Sequence, residues 1–310
     1  MNARIQPTNV HLFNPPATIA DYLERLRNAL AGADPALVQD ALYDAEEYLR
    51  SELAENPGRS EAQVIAAVAG SYGAPDEVAD IYRDTEVKVQ TALRTPQAPR
   101  SRSLLARFFA VAADPRAYSA LFYMLLSMVT GIFYFTWVTV GASLSAGLMV
   151  LIIGIPVLVL FLGSVRMLAL VEGRLVEVML GERMPRRPLY SDRGKPWLQR
   201  IGAMFTDPHT WGTLLYFLLM LPLGVIYFSV AITLLATTLA FMAAPIALLF
   251  GAAQHVMIGP VTLAEAPWMG VPMFAFGALM LFVTLHIARG VGRLHGQLAK
   301  HLLVRTSQYA

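Results

Sequence analysis

Cysteine is absent from all 310 residues. That excludes disulfides, thiol nucleophiles and cysteine-based zinc sites. Charge is absent in a pattern. No Asp, Glu, Lys or Arg occurs from 117 to 165, from 208 to 264, or from 266 to 288. About 20 apolar residues cross a bilayer, so the first gap alone accommodates two crossings. The chain therefore reads as an integral membrane protein. Catalytic signatures are missing as well: no Gly-x-x-x-x-Gly-Lys phosphate loop, no Gly-x-Ser-x-Gly elbow, no His-Glu-x-x-His. Residues 1–17 lack an apolar run of signal-peptide length, so nothing suggests export of the N-terminus.

What charge there is divides the chain. Residues 18–92 carry a net charge of −9 and residues 94–310 a net charge of +10. Such asymmetry predicts two modules. Basic residues flanking membrane spans mark the cytoplasmic side, so the basic half needs no nucleic acid to explain it.

The membrane half contains an internal repeat. Asp114 to Phe135 reads DPRAYSALFYMLLSMVTGIFYF, and Asp207 to Phe228 reads DPHTWGTLLYFLLMLPLGVIYF. Nine of the 22 aligned positions are identical. Asp114 and Asp207 suit helix N-caps, and Pro115 and Pro208 suit the first helical position. Tyr118 and Trp211 follow at the depth of a membrane surface. These residues read as caps and entry anchors before they read as a ligand site. Each copy closes on a matched segment. Arg166 to Leu175 contains Glu172-Gly173, and Arg289 to Leu298 contains His295-Gly296.

In order, residues 1–17 predict a flexible N-terminus and 18–93 a cytoplasmic helical domain. Thr18, Asp34-Pro35, Ser60-Glu61 and Pro75-Asp76-Glu77 each mark a helix start. The cluster Asp44, Glu46 and Glu47 reads as a solvated face. Residues 94–107 read as a basic linker that touches anionic lipid. Membrane repeat 1 covers 108–184, with spans near 117–140 and 144–165 and a turn at Gly141, Ala142, Ser143 and Ser145. Gly154 and Pro156 fall inside the second span, as a kink or as packing geometry. Arg166 to Gly181 continues as a helix along the membrane surface. Residues 185–201 form a cytoplasmic loop. Membrane repeat 2 covers 202–305, with spans near 210–231 and 271–288. The apolar stretch 232–250 either prolongs a helix or dips in without crossing, because basic flanks on one side demand an even number of crossings. The fold class is all-α: a small N-terminal bundle plus a polytopic helical membrane domain built from two tandem repeats.

Two resemblances follow from particular residues. Tyr22-Leu23-x-x-Leu26, Glu46-Glu47-Tyr48 and Gly73-Ala74-Pro75-x-x-Val78-Ala79 resemble the HAAS-type helical signalling domain of bacterial membrane regulators. The resemblance implies a cytoplasmic domain that partners PadR-type transcription regulators. Glu46, Glu47, Tyr48, Gly73 and Pro75 are then its candidate partner surface. Residues 105–305 resemble the sensor domain of bacterial membrane regulators. That likeness rests on Asp114-Pro115, Tyr123, Gly131-x-x-Tyr134, Gly154-x-Pro156, Asp207-Pro208-x-x-Trp211, Tyr216, Pro222-x-Gly224 and Leu294-His295-Gly296-x-Leu298. It implies a sensory role without an assigned ligand.

The expected function is that of a non-catalytic membrane sensor, with no catalytic, cofactor or metal residues. It sits in the bacterial cytoplasmic membrane with both termini inside and relays a stimulus to a cytoplasmic regulator. Its partners are membrane lipid and that regulator, with homo-oligomers allowed and no direct nucleic-acid binding. Candidate packing and coupling positions are Asp114, Pro115, Gly131, Gly154, Pro156, Asp207, Pro208, Trp211, Pro222 and Gly224, together with Arg174 and Arg293. The small and helix-breaking members are expected in an interior shared by the two copies. His255, Glu265 and Trp268 form a candidate ligand loop within 251–269. His286 reads as an interfacial residue and His295 as a poor phosphoacceptor. A transporter is the alternative, since repeats and Gly/Pro-interrupted spans suit one. Against it, spans empty of charge offer no proton or ion path. A membrane enzyme is the third reading.

Overall fold

The computed structural model describes residues 15–93, 103–151, 153–187, 202, 206–251 and 253–304. Most of the expected flexible N-terminus (1–14), most of the basic linker (94–102) and the loop residues 188–201 lie outside the described residues. The chain divides into two compact units. The first takes residues 1–89 with 187–191, and the second takes 90–186 with 192–310.

The first unit is helical, and its helix starts follow the cap residues. Helix α1 (Ile19–Ala29) is capped by Thr18, whose hydroxyl accepts from the Asp21 N–H. Helix α2 (Pro35–Glu55) is capped by Asp34. Helix α3 (Glu61–Ala69) has a reciprocal capping box between Ser60 and Gln63. Helix α4 (Pro75–Leu93) opens with Asp76 and Glu77, where acid suits the helix dipole. The core forms around Tyr22, Leu26, Leu30, Leu49 and Ile65, all fully buried. The Tyr22 hydroxyl donates to the Gly73 carbonyl at 2.8 Å, in the positive-φ turn that leads into α4.

The expected solvated face on α2 is corrected in part. Glu46 is buried and pairs with Arg50, because α2 buries more than one stripe. Asp44 accepts from the Tyr82 hydroxyl at 2.9 Å. Burial pushes the Tyr82 phenol well above its ordinary range, with that carboxylate adding to the effect. Arg187 belongs to this unit. Its guanidinium meets Asp44, its N–H donates to Asp40, and its carbonyl accepts from Gln39. Only Glu47 of the three acids faces solvent.

The second unit is built on four long helices, after the short α5 (Leu104–Phe109). They are α6 (Pro115–Leu148), α7 (Gly154–Leu180), α8 (Pro208–Leu249) and α9 (Gly270–Leu303). All four are long and apolar enough to cross a membrane. Apolar side chains such as Val129, Leu160 and Ile226 face outward. Water would penalise that surface and lipid accepts it. Asp114 and Asp207 cap α6 and α8 by accepting from the N–H groups of Arg116 and His209, with Pro115 and Pro208 first in each helix.

Two expectations change, and one alternative is decided. The chain turns after Leu148 and not at Gly141, since α6 continues unbroken to Leu148. Gly141 instead makes room for the Phe161 ring of α7. Pro156 is the third residue of α7, where its missing N–H leaves no bond unmade, so it does not kink a span. Of the two readings of 232–250, the structure takes the first: the stretch prolongs a helix, and its residues to Leu249 complete the 42-residue α8. At 1.5 Å per residue that helix is about 60 Å long, roughly twice the hydrocarbon core. Pro222 and Pro245 lie within it without ending it. The 251–269 loop adds a small exception to the helical fold, an antiparallel pair of two-residue strands, β1 (Met257–Ile258) and β2 (Val261–Thr262).

The two copies meet where α6 crosses α8, and the crossing is reciprocal. A Cβ on Gly131 would strike the Met220 carbonyl, and a Cβ on Gly224 would strike the Ser127 carbonyl. Gly224 is the repeat equivalent of Gly131, and Met220 of Ser127, each 93 positions on. The repeat therefore generates a pseudo-twofold crossing that only glycine permits at this separation. Of the small and helix-breaking residues expected there, Gly131 and Gly224 are the two found in it. Gly154 packs on its own turn against Leu148 and Met149, and Pro156 and Pro222 face outward.

Candidate functional site

The inner face of α6 carries Tyr123, Ser127, Gly131, Tyr134 and Val138, all buried. Their spacing of four, four, three and four residues keeps them on one side of the helix. Helix α8 presents Tyr216, Met220, Gly224, Tyr227 and Ala231 at the same spacing. The glycine crossing thus draws two pairs of equivalent tyrosines into the centre of the bundle.

Glu172 of α7 reaches that centre and is wholly buried. Tyr123 donates to its Oε1 at 2.6 Å and Tyr216 donates to the same oxygen at 2.9 Å. Tyr134 donates to Oε2 at 3.0 Å. His295 of α9 is also wholly buried. Its Nε2 lies 2.6 Å from the Tyr123 hydroxyl and 2.9 Å from that of Tyr216. The ring of Tyr227 meets the imidazole edge-on, 5.6 Å between centroids. The imidazole Nδ1 is buried with no hydrogen-bond partner.

Each of the four membrane helices therefore supplies a polar group to one closed cluster. The pairing obeys the repeat. Tyr123 matches Tyr216, Tyr134 matches Tyr227, and Glu172 matches His295. A carboxylate stripped of water loses several kcal/mol of solvation. Three phenol donors replace that water around Glu172. What remains is a hydrogen-bonded path from carboxylate through phenol to imidazole, which can hold or pass a proton. No trio of His, Cys, Asp or Glu among the described residues could hold a metal ion.

One end of the cluster is closed by the segment after α7. Met184, fully buried, covers Gly173, and the half-buried Glu182 packs on Gly296. Arg183 is buried there, and its guanidinium meets Glu177 and the Met184 carbonyl. Glu177 is also met by Arg174 and Arg186.

Residues 123–303 match the Sensor family model, described as "Putative sensor". That match spans more than half of the chain. The chain belongs to the Sensor family. Residues 21–81 match the HAAS model. No curated protein and no solved structure matched. With its four membrane-length helices, this Sensor-family chain is a multi-pass membrane protein with a sensing or signalling role.

The positions singled out in the sequence are distributed around this centre. Asp114 caps α6 and pairs with Arg289 at 3.2 Å. Trp211 and Arg293 face outward, as does much of Arg174. Tyr48 stacks on Tyr72 with centroids 4.5 Å apart, and Pro75 is buried at the start of α4. In the 251–269 loop, Glu265 accepts from the Thr262 N–H at 2.8 Å, while His255 and Trp268 are exposed. His286 faces the Phe108 carbonyl at 3.0 Å and stacks on its ring.

The expectation that the spans hold no acidic or basic residue is corrected. It ended the spans at 165 and 288, but α7 and α9 run on to 180 and 303. Glu172 and His295 therefore sit inside the bundle. The signal was present in the repeat: an ionisable residue followed by glycine occupies the same place in both copies.

Proposed function

We propose that the protein is a non-catalytic sensor of the bacterial cytoplasmic membrane that signals through its N-terminal HAAS domain to a PadR-type regulator. Both termini and the 185–201 loop lie in the cytoplasm, and the 251–269 loop faces outside. The observation that carries this reading is the buried Glu172–His295 cluster, which ties all four helices of a Sensor-family bundle to one point. Any change of hydrogen bonding there is felt by every helix. Buried ionisable groups among membrane helices mark function more often than structure.

Affinity capture of the full chain from native membranes, read by mass spectrometry, is expected to recover a PadR-type regulator. A chain lacking 18–93 is expected to lose it, and equal recovery from both chains would sink the relay. Reporter fusions after residues 93, 190 and 310 are expected to signal cytoplasm. Because the chain has no cysteine, Gly259→Cys supplies a single site that outside reagents should label in intact cells.

A transporter remains the second reading, because Glu172 and His295 supply the buried ionisable groups that proton coupling needs. Proton flux into vesicles holding the purified chain separates the two. A sensor gives no net flux across the bilayer.

A further inference from the structure

The Sensor family brings no ligand, and the cluster itself points to one. We infer that the Glu172–His295 cluster is a binding site for a single proton, which reaches it past Glu182. The inference rests on the sensor reading only for its consequence, since the site binds its proton whether or not a regulator listens.

Hydrogen-bond counting supports it. Three phenol protons go to the two oxygens of Glu172. A proton on Nε2 of His295 finds the phenol oxygens of Tyr123 and Tyr216. These four donors are then used, and one basic atom is left without a partner: Nδ1, buried. An additional proton from water has two places to go. On Nδ1 it becomes a buried donor without an acceptor. On the open lone pair of Glu172 Oε2 it becomes an O–H donor without an acceptor. Either outcome leaves one donor unsatisfied, which is costly inside a bundle. Uptake is therefore coupled to a shift of the helices carrying the cluster, and release restores the present packing.

The surroundings fit that role. From α6 the cluster is faced by Tyr123 and Tyr134, and from α8 by Tyr216 and Tyr227. Helix α7 contributes Glu172 itself and α9 contributes His295. The closing segment offers Met184 over Gly173 but Glu182 over Gly296, the neighbour of His295. One side of the closure is thus apolar and the other carries a half-buried carboxylate, so the path to water lies on the Glu182 side. The nearby charges are compensated: Glu177 by Arg174, Arg183 and Arg186, and Asp114 by Arg289. Their pairing leaves Glu172 and His295 as the groups whose charge the cluster itself must absorb.

The test uses the full chain in lipid nanodiscs, without partner. Infrared difference spectra between about pH 5 and about pH 8 are expected to show a carboxyl or imidazole change from one buried group. Glu172→Gln is expected to remove a carboxyl change and His295→Gln an imidazole change, the other substitution moving the midpoint by about tenfold in proton concentration. Glu182→Gln is expected to slow uptake and leave the midpoint in place. Nuclear magnetic resonance of the histidine ring in the unsubstituted chain supplies a measurement that survives if a variant fails to fold. A His295 signal that responds over this pH range supports the proposal. Spectra and His295 signal both unchanged from about pH 4 to about pH 9 overturn it. The same change persisting in Glu172→Gln and His295→Gln overturns it as well. A titration that is present while regulator output ignores pH supports the site and counts against the relay.

Discussion

The two copies of the membrane repeat agree where their backbones touch and differ where their chemistry acts. Copy one has Gly131 and copy two Gly224 at the crossing, and each pair of tyrosines is kept. Yet copy one places Glu172 where copy two places His295. Copy one ends α6 at Leu148 and begins α7 at Gly154, whereas copy two extends α8 to residue 249 and adds a loop with a small hairpin. Close approach of two backbones tolerates only glycine, so the crossing is the part least free to change. The ionisable position has one neighbour set but two occupants. A pair of glutamates there would place two carboxylates among the same phenols, and a pair of histidines would leave the phenols no anion to bond. The asymmetry makes one symmetric pocket self-complementary.

The comparison breaks most severely at the crossing. Gly131→Leu or Gly224→Leu pushes a side chain into a backbone carbonyl that cannot move without moving its helix. Either is expected to abolish a folded membrane unit, seen as loss of the monodisperse peak in detergent. Gly131→Ala is expected to cost about 3 kcal/mol or more, at the upper end of overpacking effects. Gly147→Ala and Gly290→Ala meet nothing within 4 Å. They are expected to raise thermal stability slightly, since alanine is favoured over glycine in a helix by about 1 kcal/mol.

Next in size is the ionisable pair. Glu172→Ala leaves three phenols without their acceptor and is expected to cost roughly 3–5 kcal/mol, as when one member of a buried polar pair is removed. His295→Ala removes one partner of phenols that keep Glu172, so its cost is expected to be smaller, about 2 kcal/mol. The exchange Glu172→His with His295→Glu is the sharper experiment. If the pocket is pseudo-symmetric, the double variant regains about 1–3 kcal/mol relative to the sum of the singles in a double-mutant cycle. Strict additivity in thermal unfolding would deny the symmetry.

The closing segment gives a smaller contrast. Met184→Ala empties fully buried volume over Gly173 and is expected to cost about 2–4 kcal/mol. Glu182→Ala, half-buried over Gly296, is expected to cost under about 1 kcal/mol. Equal losses would mean that both glycines are sealed by packing alone.

Much of this was legible in the chain. Caps at Thr18, Asp34, Ser60, Asp114 and Asp207 each start the helix their chemistry demands, because capping is local. The repeat could be read as identity at fixed offset, and with it the equivalence of Gly131 and Gly224. Helix ends were harder. A charged residue looks like the edge of a span when it is seen in one dimension. Only packing shows that Glu172 and His295 turn inward, to phenols supplied from positions 38 to 172 residues away. Gly141 failed as a turn for a related reason: within a long helix a glycine signals a close neighbour, here Phe161, as readily as a break.

The smallest expected effect lies at the two caps. Asp114 and Asp207 do the same local work, each accepting from the N–H two residues on. Asparagine caps a helix about as well as aspartate. Asp207→Asn should therefore leave stability almost unchanged. Asp114 has a second task, since its carboxylate meets Arg289 of α9 at 3.2 Å, with the arginine side chain 40% exposed. Partly solvated pairs of this kind contribute about 0.2–1 kcal/mol and weaken with salt. Asp114→Asn is therefore expected to lower the thermal midpoint by a degree or so more than Asp207→Asn, at roughly 2–4 °C per kcal/mol. The gap should close in about 1 M salt, where the Debye length falls to about 3 Å. A gap that survives high salt would assign the difference to cap geometry instead, and the two copies would then differ in their entry turns as well as in their centre.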